Sequence, residues 1–153
     1  MSRSVISTTK SKAGTLDVFA SLRFAGDRLQ PGRITQLLRV EPTVAYRKGD
    51  VYKRSRGHEV VGRTGLWLLS SEGHVSSNEL HDHFAYLRAV IFPTAGPDLV
   101  MPLQKVMRED GLTADISCFW YGEHGATPPV ISEEIREAFA KIGATIETDF
   151  DTD

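Results

Sequence analysis

The sequence predicts an α+β fold. The arrangement expected is a ferredoxin-like, split βαβ sheet of about four strands, with helices mainly on one face and a helical insert between the two βαβ halves. Three observations lead there. Leu16, Val18, Ala20, Leu22 and Phe24 alternate with Thr15, Asp17, Phe19, Ser21 and Arg23, the period of a strand with one buried face. Ala114 to Tyr121 reads as a strand of the same kind. The two ends of the chain also echo each other: a strand, Gly26-Asp27, Pro31 and a helix with Ile34 match a strand, Gly122-Glu123, Pro128-Pro129 and a helix with Ile135. A three-layer α/β arrangement is the alternative.

Each element has its own local signal. Gly26-Asp27 breaks the first strand, and Pro31 opens a helix at the position where its missing N–H costs nothing. Ile34, Leu37 and Leu38 make the stripe of that helix, and Glu41-Pro42 is expected to end it, because the residue before proline avoids helical angles. Leu66-Trp67-Leu68-Leu69, after Thr64-Gly65, is a short buried strand. Ser76 and Glu79 have capping-box spacing, and Leu80, Phe84, Leu87 and Ile91 follow on one helical face. Leu103, Val106 and Met107 give a further helix, stopped by Gly111. Ser132 caps a last helix, with Glu133 and Glu134 at the favourable end of its dipole and Ile135, Ala138, Phe139 and Ile142 inward. Ala144, Ile146, Thr148 and Phe150 finish the sheet.

Length and composition agree with this. A chain of 153 residues, 41% apolar and 25% charged, is expected to form one α+β domain, over residues 15–150. Residues 1–14 read as a disordered arm and residues 151–153 as an acidic tail. No apolar run approaches the roughly 18 residues of a membrane span, so no membrane partner is expected. The arm has no apolar stretch of a secretory leader, and one cysteine allows no internal disulfide; both point to the cytoplasm.

Familiar catalytic motifs fail on inspection. Gly57-His58-Glu59-Val60-Val61-Gly62-Arg63-Thr64 nearly spells a phosphate loop, but a strand and not a helix follows it. His81 and His83 stand two apart on a helix and point about 200° away from each other, so they cannot share one ion. Glu79 and His83 are an ordinary helical pair, and nothing requires His74 to fold back toward them. Cys118 shares the core face of its strand and reads as a small buried hydrophobe. No metal and no cofactor are expected, and no catalytic residue is assigned.

Two features stand out instead. The net charge is only −2, yet residues 46–63 carry Arg47, Lys48, Lys53, Arg54, Arg56 and Arg63 against Asp50 and Glu59, a net +4 interleaved with Tyr46 and Tyr52. Residues 133–153 carry a net −5. The basic run lies in a 23-residue connection, Glu41 to Arg63, longer than ordinary loops. Phe19, Phe119 and Tyr121 also fall on the faces of their strands that helices on one side would leave open.

The order and spacing of several elements add a resemblance. Pro31, Ile34, Leu38 and Glu41-Pro42-Thr43, then Arg47-Lys48-Gly49-Asp50, Thr64-Gly65-Leu66-Trp67 and Ser117-Cys118-Phe119-Trp120 resemble the bacterial family catalogued as domain of unknown function 4279. The resemblance spans about Val18 to Phe150. It implies a small bacterial cytoplasmic α+β protein, with no established activity to carry over; some small bacterial domains of this sort act as immunity proteins beside toxins.

Three function classes follow. The first is a non-enzymatic binding module, using Arg47, Lys48, Asp50, Lys53, Arg54, Arg56 and Arg63 with Phe19, Phe119 and Tyr121, for an acidic protein partner or for self-association. The second is a nucleic-acid binder through the aromatic sheet face and the basic loop. The third is an enzyme with a pocket under the long loop, offering Asp50, His58, Cys118 or His124.

Overall fold

The computed structural model describes residues 14–153. The expected N-terminal arm lies outside the described residues apart from Gly14, whose carbonyl accepts the Glu123 N–H at 2.6 Å. Among the described residues, four helices and seven strands are formed: β1 (Thr15–Gly26), α1 (Pro31–Leu38), β2 (Val44–Tyr46), β3 (Val51–Lys53), β4 (Glu59–Val61), β5 (Gly65–Ser70), α2 (Leu80–Ile91), α3 (Val100–Asp110), β6 (Thr113–Gly122), α4 (Glu133–Ala140) and β7 (Thr145–Thr152).

The main sheet has five strands in the order β2-β5-β1-β6-β7, and β3 and β4 form a separate hairpin. β1 is antiparallel to both β5 and β6, and β5 to β2, while β6 and β7 run parallel. The fold is therefore α+β with a mainly antiparallel sheet. Two expectations need correction. There are five strands in the sheet rather than about four, because β2 adds a short edge. The ferredoxin-like split pattern is not confirmed: β6-α4-β7 is a parallel βαβ unit, but β1 and β5 are antiparallel neighbours and make no second one.

The core sits on one face of this sheet. Val18, Ala20, Leu22 and Phe24 of β1 meet Trp67 and Leu69 of β5 and Ile116, Cys118 and Trp120 of β6. All four helices press their stripes into the same cluster: Ile34 and Leu38, then Leu80, Phe84, Leu87 and Ile91, then Leu103, then Ile135 and Phe139. Both tryptophans are tied by their indole N–H, Trp67 to Thr35 Oγ1 and Trp120 to Thr15 Oγ1, each at 3.0 Å. A buried indole left without an acceptor would be costly.

The local signals hold with four adjustments. Pro31 opens α1 and Ser132 Oγ accepts from Ile135 N at 3.2 Å, capping α4 as its sequence requires. Gly111 closes α3 in the left-handed region, at φ 65°. Leu16 is 48% exposed, not in the core, because the β1–β6 register shifts between Thr15 and Asp17. α1 stops at Leu38, short of Pro42, with Arg39 left-handed at φ 57°. Ser76 makes no cap on α2; Ser77 Oγ accepts the Glu79 N–H at 2.9 Å and donates to Asp82 at 2.5 Å. β7 continues through Thr152, so Asp151 and Thr152 of the expected acidic tail belong to the sheet edge.

The helix-face assignment has a direct consequence. Phe139 is fully buried between α2 and the sheet, against Phe84. Phe139→Ala is expected to lower unfolding free energy by about 3–5 kcal/mol in urea titrations. A loss under about 1 kcal/mol would contradict this packing.

Candidate functional site

The 23-residue connection is not a plain loop. It holds edge strand β2, a turn and the β3–β4 hairpin, which projects as an arm from the β2 edge. The turn is Arg47-Lys48-Gly49-Asp50: Asp50 Oδ2 accepts the Arg47 N–H at 2.8 Å, and Gly49 takes φ 90°, which favours glycine. The arm's root is pinned by two backbone bonds, Gly49 N to the Gly62 carbonyl and Gly62 N to the Asp50 carbonyl, each at 2.8 Å. Gly62 lies flat on the Tyr46 ring, where a Cβ would stand 2.8 Å from ring carbon. Tyr52 stacks on the other tyrosine, Tyr46, with centroids 4.2 Å apart and planes 6° apart. Such a stack contributes roughly 0.5–1.5 kcal/mol beyond area burial.

The arm concentrates positive charge. Arg47, Lys48, Lys53, Arg54, Arg56 and Arg63 are all exposed. Among the described residues, only Lys48 of these has an ion-pair partner, Asp27 at 3.1 Å, itself in the turn after β1. The Tyr52 hydroxyl is held below the usual phenol range by its hydrogen bond with Tyr46 and by Arg54 beside it. Burial, followed by the bond with Tyr52, pushes Tyr46 upward. Asp50 Oδ2 is engaged in the turn by its bond from Arg47 N.

The three aromatics expected on the open sheet face are there together. Phe19 and Phe119 are register partners, stacked with centroids 5.1 Å apart and half-buried. Tyr121 donates its hydroxyl to Asp153, which pushes the phenol upward. Arg23 crosses to Asp115 at 2.7 Å farther along the same face. Among the described residues no helix covers this face.

The two halves of the predicted site do not meet. Tyr46 shares its row with Leu66 and Ala25, six residues along β1 from Phe19. That separates them by about 20 Å along the strand. The aromatic pair lies instead beside β7: Phe119 pairs with Asp149, and Tyr121 with Asp17 and Asp151. β2 and β7 are opposite edges, about 19 Å apart at the usual strand spacing. The basic arm therefore does not fold onto the acidic C-terminal strand; the charge is segregated across the sheet.

The residues weighed for catalysis are scattered. Cys118 is fully buried on the helix-covered face, its Sγ 3.4 Å from the Glu147 carbonyl, and burial pushes its thiol up to about 11. His58 is exposed on the arm, and His124 contacts the Asp153 carbonyl through Nδ1 at 3.1 Å. Beside the arm's root lies a shallow depression of about 520 Å³, reached by Arg47 and Arg33 but by none of Asp50, His58, Cys118 and His124.

Sequence reasoning missed how His83 is used. It is buried, with Nδ1 2.7 Å from Ser71 Oγ and Nε2 2.7 Å from the Ser77 carbonyl. Only an Nε2–H can serve that carbonyl, which in the neutral ring leaves Nδ1 to accept the Ser71 hydroxyl proton. Ser71 Oγ in turn accepts the Ala20 N–H at 2.9 Å. The trio clamps the end of β5 to α2 and β1. His81 points to solvent and His74 stacks on Tyr86 at 5.1 Å.

A family model described as Domain of unknown function (DUF4279) matches residues 16–153. The chain belongs to that family. No curated protein and no solved structure matches it. The Gly-x-Trp and Ser-Cys-aromatic elements that carry the resemblance are the central strands β5 and β6, and Lys-Gly-Asp is the turn at the arm's root.

The state of Cys118 is open to measurement. Its ordinary value is 9.0 and its folded value about 11, so the neutral thiol persists to higher pH in the native protein. At about pH 8 the native thiolate fraction is lower by roughly 100-fold, and iodoacetamide should label the folded chain correspondingly slower than the denatured one. Equal rates would contradict the burial.

Proposed function

We propose that this chain is a non-enzymatic interaction module of a bacterial cytoplasm, immunity-like in size and simplicity, that takes an acidic protein partner on the β3–β4 arm. The observation that carries the reading is the arm itself. Six exposed cations project from one sheet edge, and five have no ion-pair partner among the described residues. The tyrosine stack and the pinned root fix the arm before binding, which lowers the ordering cost of association. A partner with clustered carboxylates gains both steering and orientation from it.

Self-association is the second reading, favoured by the opposed edges: the acidic β7 edge of one copy complements the basic arm of another. Nucleic-acid binding has less support, because carboxylates flank the stacked Phe19 and Phe119 where phosphates would run. An enzyme has less support again, because Cys118 is a neutral buried thiol and Asp50 is engaged in a turn.

A tagged full-length chain, incubated with nuclease-treated lysate of its native cell, tests this. A stoichiometric protein should be retained by the parent chain and lost with Arg54→Glu plus Arg56→Glu, while circular dichroism and melting temperature stay unchanged. Retention of the same partner by the charge-reversed chain would overturn the assignment to the arm. Recovery of untagged copies of the chain itself would identify self-association.

A further inference from the structure

A second hollow among the described residues is far from the arm in character. It is a groove of about 710 Å³ between the C-terminal end of α1, the outer side of α2 and the connection from α2 to α3. That volume lies within the range of small-molecule sites. Leu37 and Val40 form one wall, Tyr86 and Val90 the other, and Leu99 closes the end. All five are partly buried against the core, so the walls are preformed. Tyr86 is held in place by His74 stacked on its ring, and Leu99 by its N–H bond to the Ile91 carbonyl at 2.9 Å.

One charge enters this lining. Arg39 is its only ionised side chain, exposed and without an ion-pair partner among the described residues. It directly follows α1, left-handed at φ 57°, a conformation that costs a non-glycine residue energy. A guanidinium carried by a residue that lines an apolar trough can meet a carboxylate attached to a hydrocarbon body. We propose that this groove binds a small amphipathic carboxylate, its apolar part between Leu37, Val40, Tyr86 and Val90 and its carboxylate on Arg39. The site is independent of the basic arm and of any protein partner there.

The test titrates the full ¹⁵N-labelled chain with octanoate, 1-octanol and octylammonium. Octanoate should shift the amide signals of Val40, Val90 and Leu99 and bind about tenfold or more tightly than the other two, the size of one charge-assisted contact. Arg39→Gln should reduce octanoate to the affinity of octanol and leave octanol unchanged. Ala89→Trp, which fills the groove from an exposed position on α2, should abolish binding of all three with signals elsewhere unmoved. Octanoate binding no tighter than octanol, unaltered binding in either variant, or no binding of any probe would overturn the proposal. The discrimination between probes is read on the parent chain, so it stands even where a variant folds poorly.

Discussion

The two-sided chemistry of β1 and β6 governs the rest of the molecule. Each strand sends Val18, Ala20, Leu22 and Phe24, or Ile116, Cys118 and Trp120, to one side and mixed residues to the other. Burying the apolar side is the dominant gain available to a sheet of this size. All four helices are recruited to that side; the Trp67 hydrogen bond ties α1 to β5, and the Trp120 hydrogen bond ties β6 to β1. The opposite face is left with Phe19, Phe119, Tyr121 and the Arg23–Asp115 bridge, and the sheet's two edges become separate surfaces.

Those edges differ in kind. The β2 edge is three residues long and continues into a cationic arm. The β7 edge is eight residues long and carries Glu147, Asp149 and Asp151 on one face. Carboxylates along an unpaired edge oppose pairing with a second β7, where like charges would face each other. A net charge near zero thus conceals a molecule with a basic pole, an acidic pole and an apolar groove on the helical side. Binding at the basic pole and binding at the groove involve no shared residue.

What the sequence revealed followed the range of each signal. Helix faces, Pro31, Ser132 and Gly111 are local devices, and the stripes through Ile34, Phe84 and Phe139 fell where the 3.6-residue period put them. The bulge that turns Leu16 outward depends on the register with β6, more than 100 residues away, and leaves no local trace. The antiparallel β1–β5 pairing is equally non-local. β2, β3 and β4 have three residues each, too few for a period to emerge, so the arm read as a long loop although its charge and its two tyrosines were visible. The groove joins a helix end, a helix flank and a connection, and only the folded chain brings Arg39 and Tyr86 to one place.

On the function we propose, recognition belongs to the basic arm and not to the aromatic sheet face. The most direct measurement is a pair of amide-signal titrations of the full chain, one with a glutamate-rich peptide and one with a single-stranded oligonucleotide. The peptide should move signals across residues 47–63, with an effect that fades as salt rises, while Phe19, Phe119 and Tyr121 stay still in both titrations. Oligonucleotide-induced shifts at Phe19 and Phe119, with residues 47–63 unmoved by the peptide, would contradict it.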